Sequence, residues 1–128
     1  MAEKTERRRL TKEQRQLVFD KMGGHCAYCG CEISLQTMQV DHIVPLRKGG
    51  ADTLGNMWPA CRSCNHYKHT LTVQQFRQEV EKAPNRLMRY DTTYRLAVRF
   101  GLLELNRKPV TFYFERTGAH GRGGADNE

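Results

Sequence analysis

Residues 39–50 read QVDHIVPLRKGG. A carboxylate and an imidazole, Asp41 and His42, stand side by side in an apolar run that Pro45 closes, and Gly49-Gly50 follows. MQVDHIV predicts a strand, and neighbours on a strand point to opposite faces. The meaning of the pair depends on its flanks: CAYC upstream at 26–29, and CRSCNHYKH downstream at 61–69.

Four of the five cysteines form two Cys-x-x-Cys pairs, Cys26 with Cys29 and Cys61 with Cys64, separated by 31 residues. Each pair carries two thiolates round one tight turn. Two such turns close a tetrahedral four-sulfur site with Zn–S distances of about 2.3 Å. Zinc is its natural occupant in a reducing compartment. A redox pair or disulfides are the rival readings, and neither explains two matched pairs. Structural zinc contributes about 10–16 kcal/mol in small peptides, against a net domain stability of about 5–15 kcal/mol. Zinc is therefore expected to be a condition of folding. A four-cysteine site has no open position for water or substrate, so reactive chemistry must lie elsewhere. Cys31 reads as a partly exposed free thiol. His25, next to Cys26, is a substitute ligand that four cysteines make unnecessary.

The chain has 128 residues, 38% of them hydrophobic, enough for one domain with a small core. No run of about 18 apolar residues is present, so no membrane span is expected. The charged start MAEKTERRRL lacks the apolar segment of a secretory signal, and a cytoplasmic protein is expected. The net charge of +7, with its excess in the flanks, points to a polyanionic partner.

Residues 1–10 read as a basic flexible arm. Thr11 and Gln14 form a capping-box pattern, TKEQ, opening a helix with Leu17, Val18 and Met22 as its apolar stripe. PLRKGGADTLGN is a turn-rich loop, NMWPA a second extended piece, and RSCNHYKH one or two helical turns. Val73, Phe76, Val80 and Ala83 fall at helical spacing, and Pro84 is expected to end or restart that helix. A third helical stretch is expected over Leu87 to Phe100, burying Tyr90, Tyr94, Ala97 and Val98 and stopping at Gly101. PVTFYFE alternates and predicts a late strand with Val110, Phe112 and Phe114 on one face. The tail from 117 to 128 has no apolar pattern and is expected to be disordered.

CAYC, DHIVP, the double glycine, Asn56 and CRSCNHYK together resemble the HNH endonuclease family over about residues 22–70. The resemblance implies an α+β fold: a ββα-metal core stapled by the four-cysteine zinc site, with flanking helices and the late strand. It implies one nuclease domain over 11–116, made of that core and a helical extension from about 72. It makes His42 the general base, Asp41 and Asn65 ligands of a catalytic divalent ion, and Asn56 the organiser of the loop that helps orient the base. Lys68 is expected to meet phosphate. His69 is offered as a third ligand, four residues after Asn65 on one face if the helix continues; the alternative is a histidine at a helix end, facing solvent or phosphate. Mg²⁺ is the expected catalytic ion, with Mn²⁺ or Ni²⁺ as substitutes.

The residue types suit this chemistry. A neutral imidazole takes a proton near neutral pH, and a hard cation held by oxygen ligands polarises a phosphate. Opposite strand faces would let His42 reach the water while Asp41 reaches the metal. The expected substrate is double-stranded DNA, cut by a monomer or homodimer, with no membrane partner. Arg7, Arg8, Arg9, Arg86 and Arg89 are the expected backbone contacts, since arginine donates two parallel hydrogen bonds to phosphate. The competing reading is a zinc-ribbon-like nucleic-acid-binding module without catalysis.

Overall fold

The computed structural model describes residues 9–118. The arm before residue 9, with Arg7 and Arg8, and the tail beyond 118 lie outside the described residues. The chain divides into two compact units: one holds the chain up to Val73 together with residues from Thr111, the other Gln74–Val110.

In the first unit, helix α1 (Lys12–Asp20) starts as its capping box predicts. The Gln14 amide donates to Thr11 Oγ1 at 3.0 Å, and the Thr11 amide donates to Gln14 Oε1 at 2.9 Å. Val18 is buried, but Leu17, expected beside it, is exposed. Strands β1 (Gln39–His42) and β2 (Met57–Ala60) form an antiparallel pair in which Asp41 faces Trp58 and His42 faces Met57. Helix α2 (Arg62–Lys68) follows β2 after a single residue. The core joins Val18 to Met38, Val40 and Met57, with Phe19, Ile33 and Leu35 packed against them. The hairpin thus has its apolar support from α1, and α2 packs on β1.

The late strand does not form. Residues Tyr113–Thr117 make a short helix, α5. Period-two apolar spacing reports which side chains are buried, and it does not choose a hydrogen-bond partner. Here the Tyr113 and Phe114 amides donate to the Tyr28 and Ala27 carbonyls at 2.9 Å each. The Glu115 carboxylate accepts from the Phe112 amide at 2.8 Å, which starts the helix. Phe112 is buried as expected and Phe114 is half-buried; both rings stand edge-on to Tyr28, at 5.2 and 6.1 Å, and Phe114 stacks on Trp58 at 5.3 Å.

Helix α3 (Val73–Tyr90) runs through Pro84 without a break, contrary to expectation, and lies almost wholly in the second unit. The interruption comes at Asp91, whose carboxylate accepts from the Tyr94 amide at 2.9 Å and opens helix α4 (Thr92–Arg99). An N-cap offers a new helix a satisfied amide, so the chain bends where that cap exists rather than at the proline. Within this unit the segment before Val110 is tied along α3 by Arg77 to the Val110 carbonyl and by Glu81 to its amide, both at 2.9 Å. Tyr90, expected in the buried face, is 74% exposed. No helix among the described residues is long and apolar enough to cross a membrane.

Candidate active site

The four cysteines converge. Their sulfurs all lie within 4.8 Å of one another, and no other group of three or more His, Cys, Asp or Glu gathers this way among the described residues. Cys29 Sγ and Cys61 Sγ are 3.8 Å apart. Tetrahedral ligands about 2.3 Å from a zinc ion have that sulfur–sulfur spacing, about 3.8 Å. The local backbone explains the convergence. Gly30 donates to the Cys26 carbonyl at 3.0 Å and Cys26 to the Cys31 carbonyl at 2.8 Å, closing the first knuckle. Cys61 is the N-cap of α2, its sulfur accepting from the Cys64 amide at 3.4 Å. The Ala27 amide donates to the Pro59 carbonyl at 2.8 Å, which seats the first knuckle against β2. The hydrogen bond from the Cys64 thiol holds Cys26 down to about 4, while the same pairing and burial push Cys64 up. Four sulfurs sharing protons this closely are a donor set that fits a soft divalent ion.

Beside this cluster, Asp41 and His42 turn to different partners, as neighbours on a strand must. Asp41 is 3% exposed. Its Oδ2 accepts from the Tyr28 hydroxyl at 2.5 Å and lies 3.2 Å from Lys68 Nζ. Burial pushes Asp41 up from the ordinary carboxylate range, and the Lys68 charge and Tyr28 hydroxyl oppose it. Burial, and then the Asp41 charge, hold Tyr28 well above the usual phenol value, so it stays a donor.

Lys68, expected at a phosphate, is instead fully buried. Besides Asp41, its ammonium donates to the His42 carbonyl at 3.0 Å and the Ile43 carbonyl at 3.3 Å. It therefore fastens α2 to the end of β1. Asn65 precedes it by three residues on α2, a spacing that puts the two residues on neighbouring positions of one helix face. The partners at the end of β1 explain the burial of a lysine: two backbone carbonyls and one carboxylate replace its water.

His69 does not share this face. Helix α2 stops at Lys68, and His69 adopts φ 48° as its C-cap. The condition for placing His69 with Asn65, a continuing helix, is not met.

His42 Nε2 lies 2.9 Å from Asp52 Oδ1, with each side chain 8% exposed. Sequence reasoning missed Asp52. The only signal was its place two residues after the double glycine and four before Asn56, and a loop carboxylate reads by default as solvated. Asn56 does organise this loop. Its Oδ1 accepts from the Val44 amide at 2.9 Å, and its Nδ2 donates to the Val44 and Ala51 carbonyls at 2.9 and 2.8 Å. Gly50 is required at this crossing, because a Cβ there would lie 1.8 Å from the Val44 carbonyl oxygen.

Of the expected nucleic-acid contacts, Arg9 lines a cleft with Arg15, Gln36, Gln39 and Asp52. Arg86 pairs with Glu79 at 2.7 Å, and Arg89 lies over the Tyr90 ring at 5.4 Å, both on α3 in the second unit.

A hairpin running into a helix, stapled by four sulfurs, with a His-bearing strand and an Asn-bearing helix face, is the ββα arrangement of metal-dependent nucleases. The HNH endonuclease family matches residues 26–71, from the first cysteine of the cluster to just past α2, and this part of the chain is similar to that family. The CRISPR-associated endonuclease Cas9 of Actinomyces naeslundii is 39% identical over 51 residues, which is 39% of this chain and 5% of that protein. The crystal structure of the Type II-C Cas9 enzyme from the same organism aligns with 77% of this chain and 13% of its own, at 25% identity and a TM-score of 0.49. The chain thus matches only a small part of the length of these relatives.

Proposed function

We propose that this protein is a metal-dependent endonuclease that hydrolyses phosphodiester bonds of double-stranded DNA, with His42 as the general base. One observation carries the reading: the buried Lys68–Asp41 pair fastens α2, the helix that bears Asn65, to the strand that bears Asp41 and His42. A module that only bound nucleic acid would have no need of an imidazole, a carboxylate and an amide in this register.

Asp41 and Asn65 would hold the divalent ion. Both are hard oxygen donors, and each carboxylate oxygen of Asp41 has lone-pair capacity beyond the hydrogen bonds it accepts. When bound, the ion would polarise the scissile phosphate and stabilise the leaving oxygen. One carboxylate, its charge already shared with Lys68, makes a weak site, so the substrate phosphate completes it. Mg²⁺ is the ion expected, with Mn²⁺ or Ni²⁺ able to replace it. His42 takes the proton of the attacking water. Arg9 and the arm before it, with Arg86 and Arg89, hold backbone phosphates, a sequence-independent attraction that weakens with salt. Four cysteines around zinc keep the scaffold folded.

Purified zinc-loaded protein incubated with supercoiled plasmid and separate divalent cations tests the reading. Nicking is expected with Mg²⁺ and absent after chelation. His42→Ala should abolish nicking while leaving zinc content and DNA affinity intact. Binding without cleavage in the parent protein under every cation would instead favour a nucleic-acid-binding module.

A further inference from the structure

We infer that Asp52 is a positioning residue: its carboxylate fixes the His42 ring so that Nδ1 is the atom that takes a proton from water. The inference rests on the nuclease reading for its consequence, but its geometric content stands apart from it.

Asp52 Oδ1 lies 2.9 Å from His42 Nε2. An ionised carboxylate only accepts, so the neutral ring must carry its proton on Nε2 and donate it to Asp52. The second nitrogen, Nδ1, then holds the free lone pair, and only that nitrogen can act as a base. The pair is 8% exposed on each side, so water competes little for the bond and the ring has one favoured orientation.

The other charged groups near His42 do not take over this task. Asp41 directs its oxygens to Tyr28 and Lys68. From α2, Lys68 meets the His42 backbone carbonyl. Asp52 itself opens onto the cleft that Arg9 and Arg15 line, and Arg15 is held by the Leu35 and Met38 carbonyls.

The loop is built to deliver Asp52. Asn56 clamps the Ala51 carbonyl, the residue directly before it, and joins the same loop to Val44 at both amide and carbonyl. Gly50 lets the loop cross the Val44 carbonyl where any side chain would collide. The double glycine before Asp52 and Asn56 after it thus hold one carboxylate against one imidazole.

The test reads the tautomer directly. Long-range proton–nitrogen correlation spectra of ¹⁵N-labelled, zinc-loaded protein identify the His42 ring by its loss in His42→Ala. A neutral ring protonated on Nε2 supports the inference. Protonation on Nδ1, or a mixture, overturns it, and needs no variant to fold. Asp52→Ala should release the ring to mixed tautomers and lower kcat about ten- to a hundredfold, as loss of a ring-orienting partner does at metal-bound histidines, with KM for plasmid little changed. Asp52→Asn, whose side-chain oxygen still accepts from Nε2, should keep the tautomer and recover part of the rate. Equal turnover in parent and Asp52→Ala overturns the inference even if His42→Ala is dead, while a parent protein inactive with every cation sinks the nuclease reading and leaves the tautomer result to decide the role of Asp52.

Discussion

Lys68 Nζ stands 3.2 Å from Asp41 Oδ2, with 0% of one side chain and 4% of the other exposed. The bond links the last residue of α2 to the third residue of β1, and through it the backbone of His42 and Ile43. Two opposite charges removed from water depend on each other. Their value lies less in net stability than in the geometry that they enforce, because a buried pair recovers only part of its desolvation cost.

Replacing Lys68 with Met should therefore destabilise the first unit by about 3–5 kcal/mol, since it leaves Asp41 buried and unpaired. Adding Asp41→Asn to that variant should restore most of the loss, because the charge that needed a partner is then gone. Urea denaturation of the zinc-loaded single and double variants checks both. Strict additivity of the two changes would show that the groups do not depend on each other.

The same pair sets a pH dependence. Burial raises Asp41 against the pull of Lys68 and Tyr28. As pH falls, the folded chain takes up this proton before the unfolded one does. Between the raised value and the ordinary carboxylate value of about 3.9, the native state holds more protons, so its stability increases with acid. The stability of the parent relative to Asp41→Asn should be flat above that window and grow as pH falls through it. Matched denaturation series, with zinc present in both proteins, measure the difference. A difference that shrinks with acid would mean that the attraction of Lys68 outweighs burial.

The parts of the fold that were legible in sequence are those decided within a few residues. The Thr11 and Gln14 cap and the turns of the two cysteine knuckles act through neighbours, while the loop role of Asn56, which reaches 12 residues back to Val44, was expected only from the family resemblance. Lys68 and Asp52 were illegible for the opposite reason. A charged residue belongs to water unless a partner from elsewhere in the chain claims it, and their partners lie 27 and 10 residues away. The Phe112–Phe114 alternation predicts the burial of Phe112 but not the hydrogen bonding, because the carbonyls of Ala27 and Tyr28 take the amides that a strand would have paired. Pro84 predicts a break because its ring costs about 3 kcal/mol inside a helix, and that cost does not decide where α3 ends.

Cys61 has two functions, and one substitution separates them. It supplies a sulfur to the cluster and caps α2. Serine caps a helix at least as well but is a poor zinc ligand. Cys61→Ser should therefore lose zinc and unfold the first unit although the cap is preserved, as chelation should in the parent. Metal content by atomic emission, paired with circular dichroism, reads both. A folded, zinc-free variant would show that the cap and the apolar core suffice, and that the metal is not a condition of folding.

The two adjacent glycines make opposite demands, which gives the sharpest test of the loop. Gly49 has φ +88°, with nothing within 4 Å of the position a Cβ would take. Alanine there meets only the left-handed backbone penalty, about 1–2 kcal/mol. At Gly50 a Cβ would come 1.8 Å from the Val44 carbonyl oxygen, 2.6 Å from its carbon and 3.0 Å from Asn56 Nδ2. Backbone cannot yield as a flexible side chain does, so Gly50→Ala must push the loop off Val44 and loosen the Asn56 clamp, at about 1–3 kcal/mol or more. Asp52 follows two residues later and would drift from His42. Gly49→Ala should lower the melting temperature with plasmid nicking largely preserved. Gly50→Ala should lower nicking well beyond what its own melting temperature explains. Equal losses of rate in the two variants, at matched stability, would mean that the loop's crossing over Val44 does not govern the His42 ring.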